Sequence, residues 1–224
     1  MLLILTGPPG AGKTTVGALI AAESPLSSCI NSDWFWTTIV NGHIQPWERE
    51  ADTQNRAVVR ASAATGVRMA NGGFTVVLDG IFGPWHFEPL REELAQCTAP
   101  VNYAVLRPDG DTCLARAQER VLDSPQHRGA LTDEGPIRHM WDQFDHLGPM
   151  EKFVIDNSAI DPRATAMLVN KGMAAGDLGF PGVGTEDSHP EFRGHQAVVR
   201  DWSIGGSKRE AGRWHHGTHA RPGL

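Results

Sequence analysis

Short apolar runs alternate along the chain with longer stretches in which apolar residues recur at helical spacing. Residues 2–6 (LLILT), 74–78 (FTVVL) and 101–106 (VNYAVL) are dominated by aliphatic and β-branched side chains. Runs of that length suit strands buried on both faces of a parallel sheet. Residues 28–31 and 152–155 predict two weaker strands. Helices are predicted over 13–22, 49–70, 89–97, 111–121, 136–147 and 162–171, where breakers are few. Strands alternating with helices imply a mostly parallel sheet covered on both faces. Beyond residue 172 the periodicity stops. Glycine recurs every few residues and histidines gather at Trp214-His215-His216. The expectation is one domain over 1–171, with a lid near 121–135, followed by a poorly ordered Gly/His-rich tail over 172–224.

Composition narrows the class. A chain of 224 residues defaults to one domain and can bury a useful core. The net charge of -6 argues against broad binding to nucleic acid or to a membrane surface. No apolar run reaches the roughly 18 residues of a membrane span. The apolar start, MLLILTG, has no basic residues before it and is too short for a secretory signal. Cys29, Cys97 and Cys113 are odd in number and widely spaced, which predicts reduced thiols and a cytoplasmic protein. No feature specifies an oligomeric state.

Residues 5–15 read LTGPPGAGKTT, a poor strand and a poor helix by propensity. Gly7-Pro8-Pro9-Gly10-Ala11-Gly12-Lys13-Thr14 fits G-x-x-x-x-G-K-[ST] in full, after a predicted strand and at the start of a predicted helix. Glycines let successive N–H groups point into one concavity, and the helix N-terminus adds partial positive charge. The motif therefore predicts a cradle for a nucleoside triphosphate, taken as ATP with Mg²⁺. Lys13 reaches the β- and γ-phosphates in this reading, Thr14 offers its hydroxyl to Mg²⁺ and Thr15 meets the α-phosphate.

Two carboxylates fall at predicted strand ends, where ligands of open α/β sheets gather. Asp79 closes FTVVLD just before Gly80 and is the candidate for holding Mg²⁺. Asp33 follows the second strand in Asn31-Ser32-Asp33-Trp34. It could take the proton of an acceptor hydroxyl, orient that hydroxyl, or cap a helix starting at Trp34.

GPPGAGKTT, NSD after strand two, VVLDG and an arginine-bearing helix before a lid, in this order, resemble the small P-loop kinases related to nucleoside monophosphate, shikimate and gluconate kinases. Within that group the chain is most similar to chloramphenicol phosphotransferase-like bacterial ATP-binding kinases. The resemblance covers about residues 1–171, and only the first motif is specific alone. It implies an α/β three-layer sandwich with a five-stranded parallel sheet of order 2-3-1-4-5. It also implies that Asp33 matches the family's acceptor-contacting or base carboxylate. Such kinases use lid arginines to neutralise the moving phosphoryl group and exclude water. Arg120 and Arg128 are the candidates for that role, with Arg116 on the nucleotide; Arg107 could sit near the adenine or pair structurally.

Two aromatic stretches lie beside the expected centre, Asp33-Trp34-Phe35-Trp36 and Gly80-Ile81-Phe82-Gly83-Pro84-Trp85. With Gln54, Asn55 and Arg60 from the long helix, the residues Asp33, Trp36, Gly80, Phe82 and Trp85 are the expected lining of a pocket for a small-molecule acceptor. The same aromatics could simply pack beneath a helix. The leading reading is transfer of the ATP γ-phosphate to a hydroxyl of a small organic acceptor. The alternatives are a zeta-toxin-like kinase of a nucleotide, polynucleotide end or nucleotide sugar, a P-loop NTPase or switch, and a non-catalytic nucleotide-binding module.

Overall fold

A computed structural model describes residues 1–123 and 131–182; side chains from 120 to 123 are outside it. Its five strands are β1 (Leu2–Thr6), β2 (Ser27–Asn31), β3 (Thr75–Asp79), β4 (Val101–Leu106) and β5 (Val154–Ile155), all parallel in the order β2-β3-β1-β4-β5. The central strands are those with unbroken apolar runs. Every residue of β1 and β4 is buried, whereas β2, at an edge, is only half-buried before Ile30.

The helices are α1 (Lys13–Ala22), α2 (Asp33–Thr37), α3 (Asp52–Asn71), α4 (Phe87–Leu94), α5 (Gly110–Asp123), α6 (Glu134–Asp145) and α7 (Pro162–Ala175). Helices α1 and α7 pack together on one face and α3 and α4 on the other, which completes three layers. Small residues permit the close approach: a Cβ on Gly17 would stand 3.1 Å from Val77, and one on Gly66 3.2 Å from Leu2. The expected helix over 49–70 is a 3-10 turn, Arg49–Ala51, leading into α3. No described helix is long and apolar enough to cross a membrane.

The expected boundary at 171 falls inside α7, and chain beyond it enters the core. Helix α7 is capped by Asp161, which accepts from the Ala164 N–H at 2.8 Å, and stops at Gly176 with φ +80°. Leu178 and Phe180 then turn inward, 5% and 1% exposed. The two-residue β5 covers only Val105 and Leu106 of β4. The first half of β4 is paired instead by this segment. The Tyr103 N–H donates to the Leu178 carbonyl at 2.7 Å and the Phe180 N–H to the Val101 carbonyl at 2.9 Å. Phe180, Phe87 and Phe153 all pack against the Tyr103 ring. Burial pushes the Tyr103 hydroxyl far above its ordinary pKa, and that hydroxyl donates to the Phe82 carbonyl at 2.8 Å. The rest of the expected tail, 183–224, lies outside the described residues.

Candidate active site

The loop between β1 and α1 has the backbone that its sequence demands. Gly7, Gly10 and Gly12 have φ of +148°, +80° and +89°. A Cβ on Gly7 would come within 2.1 Å of the Leu106 carbonyl oxygen, and one on Gly10 within 2.0 Å of the Cys113 carbonyl oxygen. Glycine is thus required twice over, by conformation and by the approach of β4 and α5. Pro8 and Ala11 are buried and Pro9 half-buried, and the Ala11 N–H donates to the Pro8 carbonyl at 3.2 Å. Lys13 curls over the loop, its Nζ donating to the Gly7 and Pro8 carbonyls at 2.9 Å each. Thr14 and Thr15 stand exposed in the first turn of α1.

The Thr14 hydroxyl donates to Asp79 Oδ2 at 2.6 Å, and Asp79 is 2% exposed. A hydroxyl and a carboxylate side by side at the mouth of a phosphate-binding loop form an oxygen donor set that fits Mg²⁺. No cluster of three or more His, Cys, Asp or Glu able to hold a metal occurs among the described residues. Magnesium bound chiefly by phosphates and one carboxylate needs none.

Asp33 lies next along the same edge. The register pairs Asn31 with Asp79, and the Ser32 N–H donates to the Asp79 carbonyl at 2.8 Å. This close turn needs Gly80, where a Cβ would come 2.2 Å from the Ser32 hydroxyl. The Asp33 side chain is exposed, and Asp33 is the first residue of α2 while Ser32 holds the cap position without a side-chain bond; Asn31 accepts from the Asp33 N–H at 2.8 Å. Two acids therefore occupy adjacent strand ends in different states, one buried against Thr14 and one open to solvent.

Among the other expected residues, several sit elsewhere. Phe82 is fully buried: its N–H donates to the Thr6 hydroxyl at 2.8 Å and its carbonyl accepts from Tyr103, so it belongs to the core and not to a pocket. Arg60 of α3 ion-pairs with Glu92 of α4. Gln54 both accepts from the Ile44 N–H and donates to the Ile44 carbonyl, at 2.9 and 2.7 Å, which pins the loop after α2 instead of lining a pocket. Trp85 is half-buried, edge-on to Phe144 at 5.4 Å. Trp36 donates Nε1–H to Asn55 at 3.2 Å, and Asn55 donates to the Pro46 carbonyl at 2.7 Å. Arg107 is structural, forked onto Glu151 and onto the carbonyls ending α6. Arg120's side chain and Arg128, with 124–130 of the expected lid, lie outside the described residues.

Arg116 is beside the loop, donating to the carbonyls of Asn157 and Ser158 at 3.0 and 3.3 Å. Asn157 is the residue that sequence reasoning missed. It is 3% exposed, and its Nδ2 donates to the Ala11 carbonyl at 3.0 Å, so the turn after β5 is stitched to the phosphate-binding loop. Nothing local in DNSA marks it, because its partner is 146 residues away. The three cysteines are free, and burial pushes the Cys29 and Cys113 thiols up to about 11.

The family profile described as AAA domain, AAA_33, matches residues 2–146, which span β1 through α6. The chain belongs to this family. No curated protein matches the sequence. The AAA_33 domain here has the fold of the small P-loop kinases, as comparison with solved structures shows. It is similar to a gluconokinase from Sinorhizobium meliloti 1021 (15% identity, 77% of this chain and 91% of that one, TM-score 0.56). It is also similar to a shikimate kinase from Bacteroides thetaiotaomicron (16%, 78% and 98%, TM-score 0.54). A tunicamycin resistance protein from Deinococcus radiodurans superposes comparably (15%, 80% and 98%, TM-score 0.53).

Proposed function

We propose that this AAA_33 protein is an ATP-dependent phosphotransferase that moves the γ-phosphate to a hydroxyl of a small organic acceptor. The observation that carries the reading is the pair of acids at neighbouring strand ends, Asp79 buried on Thr14 and Asp33 exposed beside them. A hydrolase or switch needs the first of these; an alcohol acceptor gives the second a task.

In this reading the loop N–H groups and Lys13 hold the triphosphate, and Arg116 with the turn at Asn157 borders its nucleoside end. Thr14 and Asp79 would hold Mg²⁺, which supplies charge neutralisation on the phosphates. Asp33 accepts the proton of the acceptor hydroxyl as that oxygen bonds to the γ-phosphorus and the bond to the β–γ bridging oxygen breaks, which releases ADP. Proteins of similar fold include a tunicamycin resistance protein, a gluconokinase and a shikimate kinase, so tunicamycin, gluconate and shikimate are the first acceptors to assay, beside neutral sugars and aromatic alcohols.

The test is ATP consumption and phosphorylated product across that panel, with Lys13→Ala as the control. Lys13→Ala should keep the fold and lose at least about a thousandfold in turnover, the scale of removing a preorganised electrostatic contact. With an acceptor in hand, Asp79→Asn should weaken Mg²⁺–ATP binding and be partly rescued by added Mg²⁺. Asp33→Asn should leave that binding unchanged and lower turnover by about 10²- to 10⁴-fold. A Lys13→Ala protein with wild-type turnover, or ATP hydrolysis indifferent to every acceptor, overturns the reading.

A further inference from the structure

We propose that Asn157 is a positioning residue for nucleotide binding: it locks the peptide between Ala11 and Gly12 so that the Gly12 N–H faces the phosphates. The proposal rests on reading the loop after β1 as a triphosphate cradle.

That loop is pinned unevenly. A Cβ on Gly7 or Gly10 would strike the carbonyl oxygen of Leu106 or Cys113, so β4 and α5 hold those two positions by backbone contact. A Cβ on Gly12 would meet only Asn157 Nδ2, at 3.8 Å. Gly12 has φ +89° and is half-buried. Glycine takes positive and negative φ about equally well, so the peptide plane before Gly12 can turn over at little cost. Turned one way, its N–H is a phosphate donor. Turned the other way, its carbonyl oxygen confronts the phosphates.

Asn157 selects between the two. Its Nδ2 donates to the Ala11 carbonyl at 3.0 Å, and since a carbonyl can only accept, the amide nitrogen must face it. No described peptide bond is cis, and in a trans peptide the C=O and N–H point in opposite directions. Holding the Ala11 carbonyl toward the buried turn after β5 therefore directs the Gly12 N–H away from that turn, to the open side of the loop. Asn157 is itself held. Arg116 donates to the carbonyls of Asn157 and Ser158, and the Ser158 hydroxyl donates to Asp156 at 2.5 Å and accepts from the Asp109 N–H at 2.9 Å. The lock thus runs from α5 through the turn to the loop. The other atom of the amide, Oδ1, is buried and has no hydrogen-bond partner among the described residues. A side chain kept only for packing would not leave a buried acceptor orphaned; the donor is what the position needs.

The experiment titrates Mg²⁺–ADP, and Mg²⁺ with a non-hydrolysable ATP analogue, into the full-length protein, with the Gly12 amide followed by NMR. In the wild type that amide proton should move well downfield on binding, as it takes up a charged acceptor. Asn157→Leu removes Nδ2 and the orphaned Oδ1 together and lets the Ala11 carbonyl rotate to water. Its melting temperature should stay within a few degrees of wild type, while affinity for both nucleotides falls about 10- to 100-fold, the scale of one hydrogen bond to a charged group. The Gly12 shift should vanish with it. Asn157→Asp keeps the size but sets oxygens against the Ala11 carbonyl, and should lose at least as much affinity. A wild-type Gly12 amide that ignores bound nucleotide overturns the proposal. So does wild-type affinity in a folded Asn157→Leu or Asn157→Asp protein, or loss of the fold in both, which would make Asn157 structural only. Failure of the cradle reading shows separately, because the wild type would then bind neither nucleotide.

Discussion

Gly10 and Gly42 have nearly the same backbone, φ +80° and +75°, in the two halves of the proposed site. Around Gly10 a Cβ would drive into the Cys113 carbonyl, whereas around Gly42 nothing lies within 4 Å. The nucleotide half is therefore set by interlocked backbone: β4, α5 and Asn157 all press on one loop. The acceptor half is set by side-chain amides, with Gln54 and Asn55 tying an open loop to α3. Chemistry common to every nucleoside triphosphate can be built into a fixed cradle. Recognition of a particular acceptor resides where residues can change without moving the sheet.

The largest test of that contrast is the matched pair Gly10→Ala and Gly42→Ala. Both incur the left-handed penalty of about 1 kcal/mol. Gly10→Ala must also displace a backbone carbonyl, and should destabilise by roughly 4 kcal/mol or more. It should weaken ATP binding by at least about a hundredfold, the equivalent of one or two hydrogen bonds to a charged phosphate. Gly42→Ala should leave nucleotide affinity unchanged. Calorimetric titration and thermal melts on both variants check this; similar losses in the two would abolish the distinction.

How far this was legible in the sequence follows the same division. The phosphate-binding loop is contiguous, and its strand–loop–helix setting is local, so the motif could be read directly, whereas the sheet order followed only from the family resemblance. Phe82 was misread because an aromatic after a strand-end glycine looks like pocket lining, and only the position of Tyr103 shows that it turns beneath the sheet. Arg60 was misread because its partner, Glu92, belongs to a different helix. Asn157 was not assigned because a lone asparagine acquires its role from a distant carbonyl. Leu178 and Phe180 stand in a glycine-rich stretch that carries no periodicity, yet β5 is too short to cover β4 and the chain must return to finish the sheet.

That return gives the next effect in size. Phe180→Ala removes a ring packed on Phe87 and Tyr103 and should cost about 3–5 kcal/mol. A chain ending at Lys171 loses Leu178 and Phe180 together, leaves the Tyr103 N–H and Val101 carbonyl unpaired, and should be recovered poorly as folded protein. Chemical denaturation of Phe180→Ala and soluble yield of the truncated chain are the measurements. A truncated chain as stable as the full one would show that the return segment is dispensable.

The smallest effect separates the halves by pH. His86, in the 3-10 turn after β3, is packed against Trp85 and within the fields of Asp52 and Arg56. Burial is the main cause that pulls its pKa down from 6.5 to about 4, outweighing the bond to the Ile81 carbonyl and the pull of Asp52. The sign follows from proton binding. Above the ordinary value neither folded nor unfolded imidazole is charged, and His86 adds no pH dependence. As pH falls below it, the unfolded chain takes the proton first, so stability drops until the folded-state value is reached. The drop should be about 1 kcal/mol near pH 5.5 and about 2 kcal/mol near pH 5. Other groups titrate over the same range, so the quantity to measure is the difference between the wild type and His86→Gln in denaturant midpoints from pH 7 to pH 5. His86→Gln should start less stable and lose less on acidification, with the gap closing as pH falls. A gap that stays constant would mean that His86 is protonated in the fold as readily as in the open chain. The turn after β3 would then carry a cation within the fields of Asp52 and Arg56, and burial would not be what sets its charge.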